Sequence, residues 1–191
     1  GGVPRCVTLK PPHFRLEDEA LAEAFSERTR LVILNNPLNP SATVFGEAEL
    51  SLLAGYCQRF DAVALCDEVW EQVIFDGARH VPLMALPGMR ERTIKVGSAG
   101  KIFSLTGWKV GFVMAAPELM RVLARAHQFL TFTTPPNLQE AAAYGLAKED
   151  AYFTGMRTGL ARSRDRLASG LSALGFTVLP SAATYFLSID I

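Results

Sequence analysis

The chain has 191 residues, of which 49% are hydrophobic and 20% are charged. This composition is typical of a globular protein with a substantial core and excludes a disordered or fibrous chain. Nineteen lysines and arginines balance nineteen aspartates and glutamates, so the net charge is zero and no nucleic acid partner is expected. The longest apolar run, about seven residues from Val110 to Ala116, is far shorter than the roughly 20 residues that span a bilayer, so no membrane partner is expected.

Three cysteines, Cys6, Cys57 and Cys66, form no Cys-x-x-Cys pair, and an odd number argues against a disulfide framework. We expect reduced thiols and a cytoplasmic protein, since no basic segment followed by an apolar run indicates a secretory signal. The chain is hydrophobic for its zero net charge, which indicates surface buried against further parts of the protein or a second subunit.

Helical patterns and short apolar runs alternate along the chain. Leu16 to Phe25 combines helix-forming residues with acids in the first turn, which predicts a helix. Short apolar runs predict strands at 31–34, 62–66, 93–97 and 110–114. Further helices are predicted at 46–59, from 117, at 137–148 and at 154–174, followed by a small strand pair at 176–179 and 185–189. This alternation predicts an α/β fold, with a mainly parallel sheet covered by helices on both faces.

Polar residues follow three of the predicted strands. Asn39 comes after the first, Asp67 after the second, and Ser98 and Lys101 after the third. Ligands of open α/β sheets bind beyond the carboxyl ends of the strands, so the three loops are expected to converge on one small ligand. The alternative for each residue alone is structural: Asn39 shapes a turn, Asp67 caps a helix, and Lys101 is a solvated lysine.

Three segments carry a more specific signal. Ser98-Ala-Gly-Lys-Ile-Phe-Ser-Leu-Thr-Gly-Trp-Lys-Val-Gly-Phe112 resembles the cofactor-lysine motif of class I/II aminotransferases, which are pyridoxal-phosphate enzymes of fold type I. Asn35-Asn-Pro-Leu-Asn-Pro40 is similar to the family's Asn-Pro-x-Asn-Pro loop, and Ala64-Leu-Cys-Asp-Glu-Val-Trp70 to its Asp-Glu-Val-Tyr segment. Three motifs in this order are far more specific than one short pattern. The resemblance covers nearly the whole chain and looks closest to the kynurenine and methionine aminotransferase branch.

By this resemblance, Lys101 forms the Schiff base with pyridoxal 5'-phosphate and then moves the proton between the substrate and the cofactor. The rival lysines are Lys95, Lys109 and Lys148, but only Lys101 occupies the Ser-x-x-Lys loop.

The resemblance also implies the residues that bind the cofactor. Asp67 matches the acid that keeps the ring nitrogen protonated, and Asn39 matches the amide that donates to the phenolic oxygen. Ser98 and Lys109 match a hydroxyl and a cation that hold the phosphate. Trp70 stands where the family usually has a tyrosine whose hydroxyl donates to the phenolic oxygen, so its role departs from the pattern.

Other polar residues are expected to stay outside the site. Glu68 follows Asp67 directly, and successive side chains of an extended segment diverge, so Glu68 should point elsewhere. His13, His80 and His127 lack metal-ligand spacing and are interpreted as surface or packing residues, and no metal is expected.

The resemblance implies an aminotransferase that transfers an amino group between an amino acid and a 2-oxo acid, as a homodimer. Residues 1–150 would form part of the large cofactor-binding domain, and 151–191 the start of a smaller C-terminal α+β domain. The family's phosphate loop would lie upstream and its substrate-carboxylate arginine downstream, so the 191 residues are expected to be a central fragment that is inactive alone.

Two alternatives stay open at this point. Related fold-type I enzymes carry out β-elimination of a C–S bond or cyclisation with the same cofactor. A chain of this kind could also be a cofactor-free α/β scaffold without catalytic activity.

Overall fold

The computed structural model describes residues 1–191. Its centre is a four-stranded sheet formed by β1 (Leu31–Asn35), β2 (Val63–Asp67), β3 (Thr93–Ser98) and β4 (Gly111–Met114), in this order across the sheet. The first three strands are parallel, and β4 runs antiparallel beside β3. The mainly parallel α/β sheet predicted from the sequence is confirmed, with each strand within one residue of its expected bounds at its start and its end.

Six helices accompany the sheet: α1 (Asp18–Ala24), α2 (Glu47–Arg59), α3 (Ala99–Ile102), α4 (Pro117–Leu130), α5 (Pro136–Leu146) and α6 (Asp150–Ala173). Proline occupies the first position of α4 and α5, where the missing N–H costs no helical hydrogen bond. The long α6 ends just before Gly175, whose positive φ of 89° suits the residue that follows a helix. None of the helices combines the length and apolar composition needed to cross a membrane.

One face of the sheet is packed against α2 and the segment that leads to β3. Leu34, Ala64 and Cys66 point to this face and join a continuous apolar core. Helix α2 contributes Leu50, Leu53, Ala54 and Cys57, and the segment before β3 contributes Leu83, Leu86 and Met89. At roughly 1.5–3 kcal/mol for each fully buried large side chain, this core is the main stabilising contribution to the domain.

The opposite face is open, which corrects the expectation of helices on both faces. Leu31 and Ile33 are exposed on β1, with Ile33 at 73%, and Val113 is exposed on β4. The alternating burial of β2 and β3 shows the same two-sided character. The apolar runs indicated strands buried on both sides, but α4 and α5 bury no residue and leave this second face uncovered.

The small strand pair is shorter than predicted and displaced on one side. It joins β5 (Thr177–Val178) to β6 (Ile189–Asp190), so the expected strand at 185–189 is wrong for all but its last residue. Within the expected strand, the backbone of Phe186 is bonded locally: its N–H donates to Thr184 Oγ1 at 3.1 Å, and its oxygen accepts from Ser181 Oγ at 3.3 Å. The residues just before it pair with another segment, where Phe75 N donates to Ala182 O at 2.8 Å and Thr184 N donates to Val73 O at 2.9 Å.

Gly97 gives a test of the packing between β3 and β4. A Cβ atom at this position would overlap the ring of Phe112, its register partner on β4. We therefore expect Gly97→Ala to lower the free energy of unfolding by about 1–3 kcal/mol, measured by urea denaturation. Gly159, in the exposed middle of α6, has open space where a Cβ atom would lie, so Gly159→Ala should raise stability by about 0.5–1 kcal/mol. Equal effects of the two substitutions would contradict this account.

Candidate active site

The carboxyl ends of the three parallel strands form one edge of the sheet, and the predicted site residues follow these ends. Asn35 is paired in register with Asp67, and Asp67 with Val96, two residues before Ser98. Asn35, Asp67 and Ser98 all occupy the less buried alternate positions of their strands, so they share the open face. The strand ends from which the three loops begin therefore lie side by side, as the sequence predicted.

The loop that carries Asn39 is tied to this edge by Asn35. The Asn35 Nδ2 atom donates to Asp67 O at 3.0 Å, while its Oδ1 accepts from Asn39 N at 2.7 Å. One amide side chain thus connects the end of β2 to the loop after β1. The Asn39 side chain itself is exposed, and the residue lies in the turn that follows β1. Asn35 was missed in the sequence, although its place inside the Asn-Asn-Pro motif was a signal.

Asp67 and Glu68 separate at the end of β2. Asp67 is half-buried on the open face, and its Oδ1 accepts a hydrogen bond from Val69 N at 3.3 Å. Glu68 is 1% exposed and points to the covered face, as the alternation of an extended chain predicted. Asp67 is therefore the acid of this pair that a ligand on the open face can reach.

Lys101 lies in α3, a single helical turn that follows β3 directly. The Ser98 side chain caps this turn by accepting from Gly100 N at 3.1 Å. Gly100 is required by close packing, because a Cβ there would lie 2.9 Å from Thr106 Cα. Thr106 closes the loop by donating its hydroxyl to Gly100 O at 3.1 Å. The half-buried Lys101 is thus carried by a short, tightly folded segment.

Trp70 lies directly under Lys101. The Lys101 Nζ atom is 5.3 Å from the centroid of the Trp70 ring, within the range of a cation–π interaction. The indole is 1% exposed and packs edge-to-face against Tyr185 at 4.5 Å and Phe186 at 5.7 Å between ring centroids. The structure thus brings together two of the predicted site residues, Lys101 and Trp70, in direct contact.

Lys109 is exposed and ends the turn between α3 and β4, with a positive φ of 56°. The oxygen of the next residue, Val110, accepts a backbone hydrogen bond from Ala99 N at 3.1 Å. Lys109 therefore lies close in space to Ala99, the first residue of α3. Ser98 and Lys109 therefore both border the beginning of this helical turn, without a direct contact between their side chains.

A buried charged cluster lies behind Asp67 on the covered face. Glu68 Oε2 is 2.8 Å from His80 Nε2 and 3.2 Å from Lys95 Nζ, and Lys95 also pairs with Glu71. Burial alone would disfavour the ammonium, but the hydrogen bond to Glu71 and the charge of Glu68 outweigh this and raise the pKa of Lys95 above its usual value. Lys95 is therefore a paired cation and not a free amine.

The cluster was missed in the sequence. His80 was interpreted as a surface or packing residue, but its side chain is 7% exposed and contacts a buried carboxylate. The signal was available in part: Lys95 interrupts an apolar strand, and the alternation that places Asp67 on one face places Glu68 on the face of Lys95. His13 and His127 are exposed, as expected.

The cysteines offer no nucleophile to this site. Cys57 and Cys66 are buried and unpaired, and burial raises the pKa of Cys57 to about 11. Burial also raises the pKa of Cys66 above its ordinary value. Neither of these two thiols is therefore ionised near neutral pH.

Comparison of the sequence with protein-family models shows the family of this chain. The family model described as aminotransferase class I and II matches residues 1–191, which is the whole chain. The chain belongs to this aminotransferase family. Known aminotransferases that match it include a probable N-succinyldiaminopimelate aminotransferase of Mycobacterium tuberculosis, 42% identical over 93% of this chain and 45% of that protein.

Relatives named for kynurenine and methionine also match this chain, as the resemblance predicted. Kynurenine–oxoglutarate transaminase 1 of Rattus norvegicus is 38% identical and the methionine aminotransferase of Escherichia coli 37% identical, each over 100% of this chain and 49% of its own length. The solved structure of the Mycobacterium tuberculosis N-succinyldiaminopimelate aminotransferase has a TM-score of 0.92 at 40% identity, over 96% of this chain and 48% of its own. The chain thus spans about half the length of the aminotransferases that it matches.

Asn35 and Asn39 should have separable effects on stability. Asn35→Ala removes both hydrogen bonds that join the Asn39 loop to β2, so we expect a loss of about 1–3 kcal/mol in the free energy of unfolding. Asn39→Ala removes an exposed side chain and should change stability by less than about 0.5 kcal/mol. Urea denaturation of both variants measures the difference, and a larger loss for Asn39→Ala would contradict the assignment.

Proposed function

We propose that this aminotransferase-family chain binds pyridoxal 5'-phosphate at the carboxyl edge of its sheet and takes part in transferring an amino group between an amino acid and a 2-oxo acid. The observation that carries the proposal is the position of Lys101 over Trp70, directly after β3, with Asp67 at the end of the neighbouring strand. Relatives that match the chain are named as aminotransferases, which supports the same reaction.

The residues at this edge fit the chemistry of the cofactor. A phosphorylated pyridine aldehyde needs an amine to bind covalently, an acid beside its ring nitrogen, donors to its phenolic oxygen and donors to its phosphate. The edge offers the amine of Lys101, the carboxylate of Asp67, the amide of Asn39, the hydroxyl of Ser98 and the exposed ammonium of Lys109. Every functional group in this set has a counterpart on the cofactor, so the residues and the cofactor are compatible.

Lys101 would act as the nucleophile and as the proton carrier. When bound, pyridoxal phosphate supplies an electron sink for the negative charge that develops at the substrate α-carbon. The Lys101 Nζ atom would attack as an uncharged amine, and the same atom would accept the substrate α-proton as a general base. Its rigid support in α3 and its contact with Trp70 reduce the number of positions that Nζ can adopt.

Asp67 would hold a proton on the ring nitrogen. A carboxylate that accepts a charge-assisted hydrogen bond from a pyridinium favours the protonated ring. The position of Asp67 on the open face leaves its carboxylate available, because its only side-chain partner is Val69 N. Glu68 is unsuited to this role because it is engaged with His80 and Lys95 on the other face.

The remaining predicted residues would position the cofactor. Ser98 accepts a hydrogen bond from Gly100 N and retains its own hydroxyl proton for donation to a phosphate oxygen. Lys109 would contribute a positive charge to the same group, and Asn39 would donate its amide to the phenolic oxygen. Trp70 would act by packing beneath Lys101, since its ring is already enclosed by Tyr185 and Phe186.

The wider organisation follows the same proposal. We propose that residues 1–150 belong to the cofactor-binding domain and 151–191 to the start of a smaller domain, in keeping with the separate β5–β6 pair. The exposed apolar residues of the open face and of α4, such as Ile33 and Phe129, support burial against further protein, including a second subunit of a homodimer. A cytoplasmic location and the substrate pair are proposed from the family alone.

The proposal is tested by locating the lysine that binds the cofactor. Borohydride reduction of the purified protein with pyridoxal phosphate should leave a phosphopyridoxyl group on the peptide that contains Lys101, detected by mass spectrometry. Lys101→Ala should abolish this adduct, because Lys109, the other lysine near the sheet edge, is expected to contact the phosphate and not the aldehyde. Lys10→Ala, which removes an exposed lysine near the chain start, is the control and should leave the adduct intact. An adduct on Lys95, Lys109 or Lys148 would refute the assignment.

Substitution of Asp67 should slow the removal of the substrate α-proton more than it weakens covalent binding of the cofactor. Asp67→Asn keeps the shape of the side chain but removes the charge that stabilises the protonated ring, so α-proton removal should slow by at least about 100-fold while Lys101 still binds the cofactor. Stopped-flow absorbance of the half reaction with an amino acid, in a full-length protein that contains these residues, measures this rate. Asp190→Asn, on exposed β6, provides the control. A wild-type rate in Asp67→Asn would mean that another group supports the ring nitrogen.

A further inference from the structure

The turn that follows β2 is held at both ends by one lysine. Glu71 N donates to Glu68 O at 3.0 Å, which closes a four-residue turn from Glu68 to Glu71. The side chains of both glutamates reach Lys95 Nζ on the adjacent strand β3, at 3.2 Å for Glu68 Oε2 and in a shorter contact for Glu71. The ammonium therefore bridges the first and last residues of the turn.

This bridge is enclosed within the protein. The side chains of Lys95 and Glu68 are 7% and 1% exposed, and Cys66 is the register partner of Lys95 on β2. His80 contacts the same oxygen of Glu68, while its Nδ1 atom is buried without a hydrogen-bond partner. Two carboxylates, one ammonium and the imidazole of His80 thus share a small buried volume.

The turn carries Trp70 between its two pinned ends. Trp70 is the third of the four turn residues, and its ring lies 5.3 Å below Lys101 Nζ. Asp67 immediately precedes the turn and faces the open side. Any change in the course of the chain from Glu68 to Glu71 therefore moves the surface on which Lys101 rests.

We propose that Lys95 is a positioning residue, whose ammonium clamps the Glu68–Glu71 turn and thereby fixes Trp70 under Lys101 and Asp67 on the opposite side of the sheet. The effect on the turn stands on the observed contacts, and its consequence for the cofactor rests on the proposed function. Lys95 touches neither Lys101 nor Trp70 and acts only through the two glutamates.

Loss of the ammonium should make the turn sensitive to pH. In Lys95→Met, the carboxylates of Glu68 and Glu71 face each other in a buried site without the ammonium, with the imidazole of His80 and the thiol of Cys66 as neighbours. At low pH one carboxyl keeps a proton and can donate it to the other, whereas at higher pH both ionise and repel. The turn should therefore be ordered near pH 6 and displaced near pH 9. A second substitution, Lys95→Met with Glu71→Gln, restores the net charge of the original cluster and should restore the turn.

The test reads the environment of Trp70 without the cofactor. Trp108→Phe leaves Trp70 as the only tryptophan, so emission and acrylamide quenching report on it alone. Quenching should be low and independent of pH with Lys95 present. In Lys95→Met it should rise several-fold between about pH 6 and about pH 9. The double variant should return to low, pH-independent quenching. Leu50→Ala, which weakens the apolar core at α2 without touching the turn, should lower thermal stability but leave Trp70 quenching independent of pH.

The same variants are then titrated with pyridoxal phosphate. Lys95→Met should lose about tenfold or more in affinity near pH 9 and the double variant should recover it. The positioning role of Lys95 is refuted if Trp70 quenching in Lys95→Met does not change with pH. It is also refuted if the added Glu71→Gln substitution fails to restore low quenching, or if Leu50→Ala gives the same pH profile as Lys95→Met. If Lys95→Met does not fold, a folded double variant with native quenching supports the clamp, and an unfolded one overturns it. Absence of cofactor binding by the unsubstituted protein would refute the proposed function. The positioning role of Lys95 would then be decided by the quenching of Trp70 alone.

Discussion

Adjacent side chains of an extended strand point to opposite faces, and at the end of β2 this constraint separates two carboxylates. Asp67 turns to the open face, while Glu68 turns into the protein. Each carboxylate then has a different requirement. A buried carboxylate is strongly unfavourable unless cations and hydrogen bonds surround it, whereas a carboxylate at an open edge remains available to a ligand. The arrangement of the surrounding residues follows from this separation.

On the covered face, the buried carboxylate of Glu68 needs nearby cations and hydrogen-bond donors, which explains why charged residues lie beside an apolar core. Lys95 and His80 contact the Glu68 carboxylate, and Glu71 balances the lysine in turn. A strand residue of β3, a turn residue and a loop residue are thereby joined at one point. On the open face, Asp67 lies in register with Asn35, which holds the adjoining loop. The two faces therefore differ: one holds the charged cluster that fixes the course of the chain, and the other leaves polar groups exposed at the sheet edge.

The sequence predicted the sheet and the grouping of the candidate site because both depend on local patterns. Short apolar runs indicated β1 to β4, and the carboxyl ends of parallel strands necessarily share an edge, which brought Asp67 and Ser98 to it. The family followed from motifs that lie in these same loops, and the family comparison confirmed it. The roles of the individual residues toward the cofactor stay predictions.

Features that depend on contacts between distant segments could not be predicted from local sequence patterns. The ion pairs of Lys95 join residues up to 27 positions apart, and no spacing rule connects them. The strand expected at 185–189 was wrong because the backbone of Phe186 forms local hydrogen bonds with the side chains of Ser181 and Thr184. The uncovered face of the sheet was also missed, since apolar strands indicate that a face is to be buried but not which segment covers it.

A crystal structure of the protein grown with pyridoxal phosphate would show which lysine and which acid contact the cofactor. We expect continuous electron density from Lys101 Nζ into the cofactor, with the Asp67 carboxylate beside the ring nitrogen and Glu68 still paired with Lys95 behind it. Density that joins the cofactor to another lysine, or a ring nitrogen remote from Asp67, would contradict the account.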